Sequence, residues 1–225
     1  MNDSLLYLVA VSLIAFALPV FADKLGREYL IGLLPIYLLT GNVLAESFIT
    51  FGPIITSYAI PIYASTFLIT DILSERYGRE ESKRAVWLGF IGQIFFVIML
   101  SLILYAPIMP EKKQALEAAL GFMQRLILGS SAAYIISQFV DVWIFHEIKN
   151  RTGNKSKWLR NNVSTALSQL IDTAIFLGIA FYGHPPFETF SSWFLFVITT
   201  WIVKVIVAII DTPFFYLATR NERNK

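Results

Sequence analysis

Apolar residues run in long blocks along this chain, separated by short clusters of charged and turn-forming residues. A helix needs about 20 mainly apolar residues to cross the hydrocarbon core of a bilayer. Seven blocks approach that length: Leu5–Ala22, Leu30–Ile49, Pro53–Glu75, Ala85–Ala106, Leu126–Ile148, Asn162–Tyr182 and Trp193–Thr219. Each is predicted to be a membrane-spanning helix, with six as the alternative count. The last block contains Pro213, whose ring removes a backbone donor, so a bend is expected there. Between the fourth and fifth blocks, "PEKKQALEAALGFMQRL" combines good helix formers with apolar residues at helical spacing, which predicts a short helix on the outer membrane surface. The longest loop is about twenty residues, too short to hold a soluble domain, so residues 1–225 are expected to form a single transmembrane domain.

Composition strengthens this reading. The chain is 56% hydrophobic with a mean hydropathy of +0.62, far above a soluble domain, so the expected class is an all-α, multi-pass protein of the cell membrane. No Lys or Arg precedes the first block, so it lacks the charged leader of a signal peptide and is read as a retained helix. The absence of cysteine excludes disulfides, thiolate metal sites and a cysteine nucleophile. His146 beside Glu147 and His184 in a Pro-rich loop form no metal-spaced cluster, so no metal or cofactor is expected.

Charge sets the orientation. Loops assigned to one side hold 14 Lys and Arg, those on the other hold only Lys112, Lys113 and Arg125, and Lys204 falls inside a span. Basic residues are retained on the cytoplasmic side, which places the amino terminus outside and the carboxyl terminus in the cytoplasm. The net charge of +2 then reflects topology and does not imply nucleic-acid binding. The basic stretch "NRTGNKSKWLR" from Asn150 is read as a cytoplasmic loop near anionic lipid.

Polar side chains within the blocks carry the chemistry, because in lipid they are costly and face a bundle interior or a cavity. They are Glu46, Asp71, Glu75, Gln93, Gln138, Asp141, Gln169, Asp172, Lys204 and Asp211. The stretch "SQFVD" at Ser137 returns as "SQLID" at Ser168. Residues three apart on a helix differ by about 60°, so Gln138 and Asp141 share a face, as do Gln169 and Asp172. Tyr134 and Thr165 extend these faces by one turn. The two helices run in opposite directions, so the motifs can meet at similar depth, and the repeat is compatible with an inverted relation about a substrate site. Amides and hydroxyls also join helices, at about 0.6–2 kcal/mol each, which is a sufficient reading of Gln93. Glu46, Glu75 and Asp211, nearer the interfaces, are read mainly as structural. A carboxylate costs more, and Lys204 cannot neutralise Asp141, Asp172 and Asp71 together. Carboxylates, amides and 15% aromatic residues suit a flat ligand with adjacent N–H donors, such as a guanine-like heterocycle. Amino acids, polyamines and cationic vitamins also fit.

"TDILSERYGREESKRAVWLGF" from Thr70, "SQFVDVWIFHEIK" from Ser137 and "WLRNNVSTALSQLIDTAIFLGIAF" from Trp158 resemble the family of queuosine precursor transporters, formerly described as vitamin uptake transporters. The resemblance covers most of the chain from the second span onward. It includes an aspartate-led motif ending in Tyr-Gly, the Gln-x-x-Asp of the fifth span, the Asp-Thr of the sixth and a lysine in the last. Some members carry Asn where Gln169 stands. The resemblance implies import of a 7-deazaguanine, as the 7-cyano or 7-aminomethyl form or free queuine, for tRNA modification. For such a ligand Asp141 and Asp172 are expected to receive the ring N–H and exocyclic amine, Gln138 to pair with the carbonyl edge with Gln169 as a further candidate, and Lys204 to balance charge. Gln93 is the remaining candidate contact, and Asp71 is expected to line the cytoplasmic exit or to anchor the basic loop.

Other classes fit less well. An intramembrane hydrolase lacks a Gly-x-Ser-x-Gly or Ser–His pairing in the spans, so an enzyme is not expected. A substrate-binding subunit of an energy-coupling-factor vitamin transporter should carry small residues four apart in its first span, and "LLYLVAVSLIAFALPVFA" has no clear Ala-x-x-x-Ala. A channel would favour rings of one charge. The expected partners are the small-molecule substrate, membrane lipid and, through helix association, a second copy in a homodimer.

Overall fold

The computed structural model describes residues 3–45, 47–51, 54–121, 123–153, 155–183 and 188–220. Glu46 and His184 lie outside the described residues. Eight helices account for nearly all of the described residues: α1 (Asp3–Leu25), α2 (Arg27–Val43), α3 (Ala59–Arg76), α4 (Arg79–Tyr105), α5 (Pro110–Leu120), α6 (Met123–Thr152), α7 (Lys157–Phe181) and α8 (Phe190–Ala218). Seven of them overlap the seven apolar blocks, and α5 is the short helix predicted between the fourth and fifth. Five are long and apolar enough to cross a membrane: α1, α4, α6, α7 and α8. Helix α8 continues through Pro213. Two sharp reversals rest on glycine, Gly26 (φ 128°) between α1 and α2 and Gly78 (φ 93°) between α3 and α4, where a side chain would be strained.

The second and third helices are shorter than their apolar blocks. At 1.5 Å per residue, α2 and α3 span about 26 and 27 Å, less than the roughly 30 Å hydrocarbon thickness. The intervening residues instead form an antiparallel hairpin, β1 (Phe48–Phe51) with β2 (Ile54–Ser57), in register Phe48 with Ser57 and Phe51 with Ile54. This departs from an all-helical fold. The sequence FITF-GP-IITS explains it, since β-branched and aromatic residues favour strands and Gly-Pro interrupts a helix.

The bundle is apolar outside and polar within. Phe95, Ile98 and Leu102 on α4 and Ile202, Ile206 and Ile209 on α8 are exposed, whereas Gln93, Gln138, Asp141, Arg160 and Gln169 are fully buried. Such a distribution is stable in lipid, where outward apolar area costs nothing and inward polar groups need partners. Helix α3 is the axis: 14 of its 18 residues are buried, which is why it can carry Ser65, Thr66, Thr70, Asp71, Ser74 and Glu75 without exposing them to hydrocarbon. Aliphatic packing joins it to α1, α2, α4, α6 and α8 through Phe16, Leu34, Leu68, Ile72, Val86, Phe145 and Phe215. Leu116 and Leu120 fix α5 against Val97, Leu104 and Ile127.

One end of the bundle is tied by ion pairs. Arg76 on α3 pairs with Asp23 on α1, and Arg27 on α2 reaches Glu81 on α4 at 3.5 Å. Buried Glu75 receives Arg160, Lys157 at 3.2 Å and Lys149 at 3.3 Å, while Lys157 also donates to the Thr219 carbonyl after α8 at 3.0 Å. The basic segments between α1 and α2, between α3 and α4, between α6 and α7, and after α8 therefore share one end. The hairpin lies at the other.

Candidate functional site

Helix α7 reads as a ladder of polar contacts from the basic end toward the hairpin end. Arg160 lies at the Glu75 layer. One residue further, the Asn161 amide faces Asp211, and Asn162 bonds Thr212 on α8 at 3.0 Å. Thr165 donates to Asp71 Oδ2 at 3.4 Å and Ser168 donates to Asp141 Oδ1 at 3.0 Å. Asp172 follows, and beyond it Phe176, Leu177 and Phe181 line a cavity. The rise from Arg160 to Asp172 is about 18 Å, so the ladder covers much of the membrane depth.

Asp172 is the best-served carboxylate of the interior. One oxygen, Oδ1, accepts from Tyr63 Oη at 2.7 Å and Ser137 Oγ at 3.2 Å, while Oδ2 accepts from Lys204 Nζ at 2.8 Å. Lys204 Nζ also lies 5.1 Å from the Tyr63 ring centroid, a cation–π distance. The pair is buried, at 8% exposure for Lys204 and 1% for Asp172. It forms the floor of a cavity of about 180 Å³ that runs toward the hairpin end. Asn42, Ser57, Tyr63 and Thr200 give the walls their polar groups, and Leu126, Phe176, Phe181 and Phe196 their apolar area. Asn42 Nδ2 is buried in this wall with no partner among the described residues.

The repeated motif divides between two layers. Ser137 of the first copy bonds Asp172 of the second, and Ser168 of the second bonds Asp141 of the first, so the two faces are reciprocally joined. Asp172 and Lys204 line the cavity. Asp141 lies instead against Asp71, with Asp211 close by, and none of the three has a Lys or Arg within ion-pair distance among the described residues. Gln138 is occupied at both ends by α3, accepting from Thr70 at 3.0 Å and donating to Thr66 at 3.2 Å. Gln93 accepts from Ser131 at 2.7 Å, which joins α4 to α6. Gln169 is buried with neither end of its amide partnered among the described residues, one turn from Asp172. The basic loops are anchored by Glu75, one turn beyond Asp71 on α3.

Several site residues carried little sequence signal. Tyr63, Asn42 and Thr200 are ordinary polar residues in spans, and only the packing of α2, α3 and α8 brings them to one cavity. Asn161 reads in sequence as part of a basic loop. The reciprocal serines were visible as the first letter of each repeat.

Residues 57–218 match the family described as "Putative vitamin uptake transporter". Over 162 residues the chain is 38% identical to the "Probable queuosine precursor transporter" of Bacillus subtilis strain 168, covering 71% of this chain and 69% of that one. It is 25% identical over 148 residues to a protein of the same name from Haemophilus influenzae, covering 64% and 60%. It is 24% identical over 144 residues to the "Queuosine precursor transporter" of Escherichia coli K12, covering 64% and 63%. The matched stretch is thus under two thirds of the length of the latter two. No solved structure matches the chain. The family match runs from the end of the hairpin to the last residue of α8, taking in Tyr63, Asp172 and Lys204, and with the buried polar interior it shows that this multi-pass membrane protein belongs to the "Putative vitamin uptake transporter" family.

Proposed function

We propose that this chain is a carrier that imports a queuosine precursor, a 7-deazaguanine, into the cytoplasm for tRNA modification, and that the Asp172–Lys204 pair is the centre of its binding site. The observation that carries this reading is the buried ion pair set as the floor of an aromatic cavity. Asp172 can accept from the adjacent ring N–H and exocyclic amine of a deazaguanine, while Lys204 can donate to its carbonyl. Phe176 and Tyr63 offer apolar faces to the bicyclic ring, and Asn42 Nδ2 is a free donor for the 7-substituent or the ring edge. The volume, about 180 Å³, falls below the roughly 300–1,000 Å³ of drug-sized pockets and suits a single small heterocycle.

In this reading Gln169 is the further contact that engages once the ligand moves one turn inward. Gln138 and Gln93 hold α6 against α3 and α4. With the basic loops read as cytoplasmic, the cavity faces outward and the ion-pair layer closes the inner side. Alternation between outward and inward access would then break the Glu75 and Asp23 contacts.

The test is uptake of labelled 7-deazaguanine precursors by cells lacking their own synthesis and salvage, expressing this chain alone. Uptake by the parent and its loss in Asp172→Asn, with equal protein in the membrane, is expected. Unchanged uptake in both Asp172→Asn and Lys204→Met would overturn the site.

A further inference from the structure

Below the cavity, three carboxyl groups from three helices meet without a cation. Asp71 on α3, Asp141 on α6 and Asp211 on α8 are exposed by 1%, 0% and 2%. Asp71 and Asp141 face each other and Asp211 is close to both. The groups that serve them are neutral donors: Thr165 for Asp71, Ser168 and Ser164 for Asp141, and the Asn161 amide for Asp211. No other titratable side chain faces the three among the described residues. Among the described residues one oxygen of Asp71 and one of Asp141 have no partner, nor does Asn161 Oδ1, which belongs to a residue 2% exposed whose amide faces Asp211. Two carboxylates turned toward each other can only accept, so with no cation between them a bound proton is what relieves their repulsion and supplies the missing donor. The oxygens do not converge on a metal-sized point, and no cluster suited to a metal occurs among the described residues. The fitting ligand is a proton.

We propose that Asp71, Asp141 and Asp211 form a proton-binding site, distinct from the substrate cavity, that couples inward movement of substrate to entry of a proton from the outer side. The inference rests on the transporter reading. Its structural link is α7: Ser168 on the acid layer and Asp172 on the cavity floor are four residues apart on one helix, so moving Asp172 with its ligand moves the donors of Asp71 and Asp141. Protons released from the acid layer would pass to the Glu75 end when that side opens.

Purified protein in liposomes tests this in two measurements. Counterflow of labelled precursor with no pH gradient reports the substrate path alone, and accumulation driven by an acid-outside gradient reports coupling. For one proton per substrate, a gradient of one pH unit should give about tenfold accumulation at zero membrane potential. Asp211→Asn and Asp211→Ala are each expected to keep counterflow, which also shows that they fold, and to lose the response to the gradient. Parent protein that shows counterflow but whose accumulation ignores the pH gradient, or follows a sodium gradient at equal pH, would overturn the proton site. So would a pH response retained by both variants. No counterflow by the parent would instead overturn the transporter reading, and the coupling with it.

Discussion

Lys204 and Asp172 allow stability and function to be separated. Replacing Lys204 with Met leaves the Asp172 carboxylate buried at 1% exposure with only Tyr63 and Ser137 as donors. Breaking a buried pair by removing one partner costs about 3–5 kcal/mol, and the two surviving hydrogen bonds place this case near 3. For a chain of this size each kcal/mol shifts the melting temperature by about 2–4 °C, so Lys204→Met should melt roughly 6–12 °C below the parent in detergent. Asp172→Asn should also destabilise, because it leaves the ammonium buried beside the Tyr63 ring. The double variant removes both charges, and neutral replacements of buried pairs are often tolerated, so it should recover to within about 1–2 kcal/mol of the parent. Transport should stay lost in all three. Melting followed by intrinsic fluorescence, with uptake measured in parallel, checks both halves. Losses that add to within about 0.5 kcal/mol would refute the pairing, since independent sites add and coupled ones do not. Uptake by the double variant would refute the binding role.

Gly89 marks a close approach of α4 to α2 and α6, where a Cβ would lie 2.6 Å from Tyr134 Oη and 2.7 Å from Leu38 Cδ1. Gly89→Ala should therefore cost about 1–3 kcal/mol by overpacking, whereas Gly32→Ala, with open space around it, should not lower the melting temperature; equal effects would refute the packing account. Glu75→Gln should loosen the basic end: with Ser74→Cys introduced into this cysteine-free chain, an impermeant maleimide applied from the cytoplasmic side should react on the order of tenfold faster, the equivalent of about 1.4 kcal/mol in the opening equilibrium, and an unchanged rate would sink the idea that this layer is a gate. Lys113→Cys should label from outside intact cells and Lys155→Cys only after permeabilisation, and the reverse pattern would refute the seven-span orientation.

The apolar blocks alone determined that the chain is a helical membrane protein, because lipid demands long runs of apolar residues and helices that satisfy their own backbone. The same arithmetic located the short helix from Pro110, and the repeated Ser-Gln-x-x-Asp marked two helices that turned out to be joined serine to aspartate. Where α2 ends was not legible, because Leu44–Ser57 is apolar enough for a helix while its β-branched pairs around Gly52-Pro53 favour a hairpin, and hydropathy does not distinguish the two. The partners of each polar side chain were not legible either. Gln138 and Gln169 occupy equivalent places in the repeat, yet the first is held by two threonines of α3 and the second by nothing. Asp141 and Asp172 are equally matched in sequence, yet only Asp172 meets Lys204. Helical period assigns a residue to a face of its own helix, whereas the contact across that face depends on the rotation and depth of its neighbours. Those are set by packing many side chains at once, and only the tertiary structure decided which carboxylate received the cation and which three, among the described residues, were left without one.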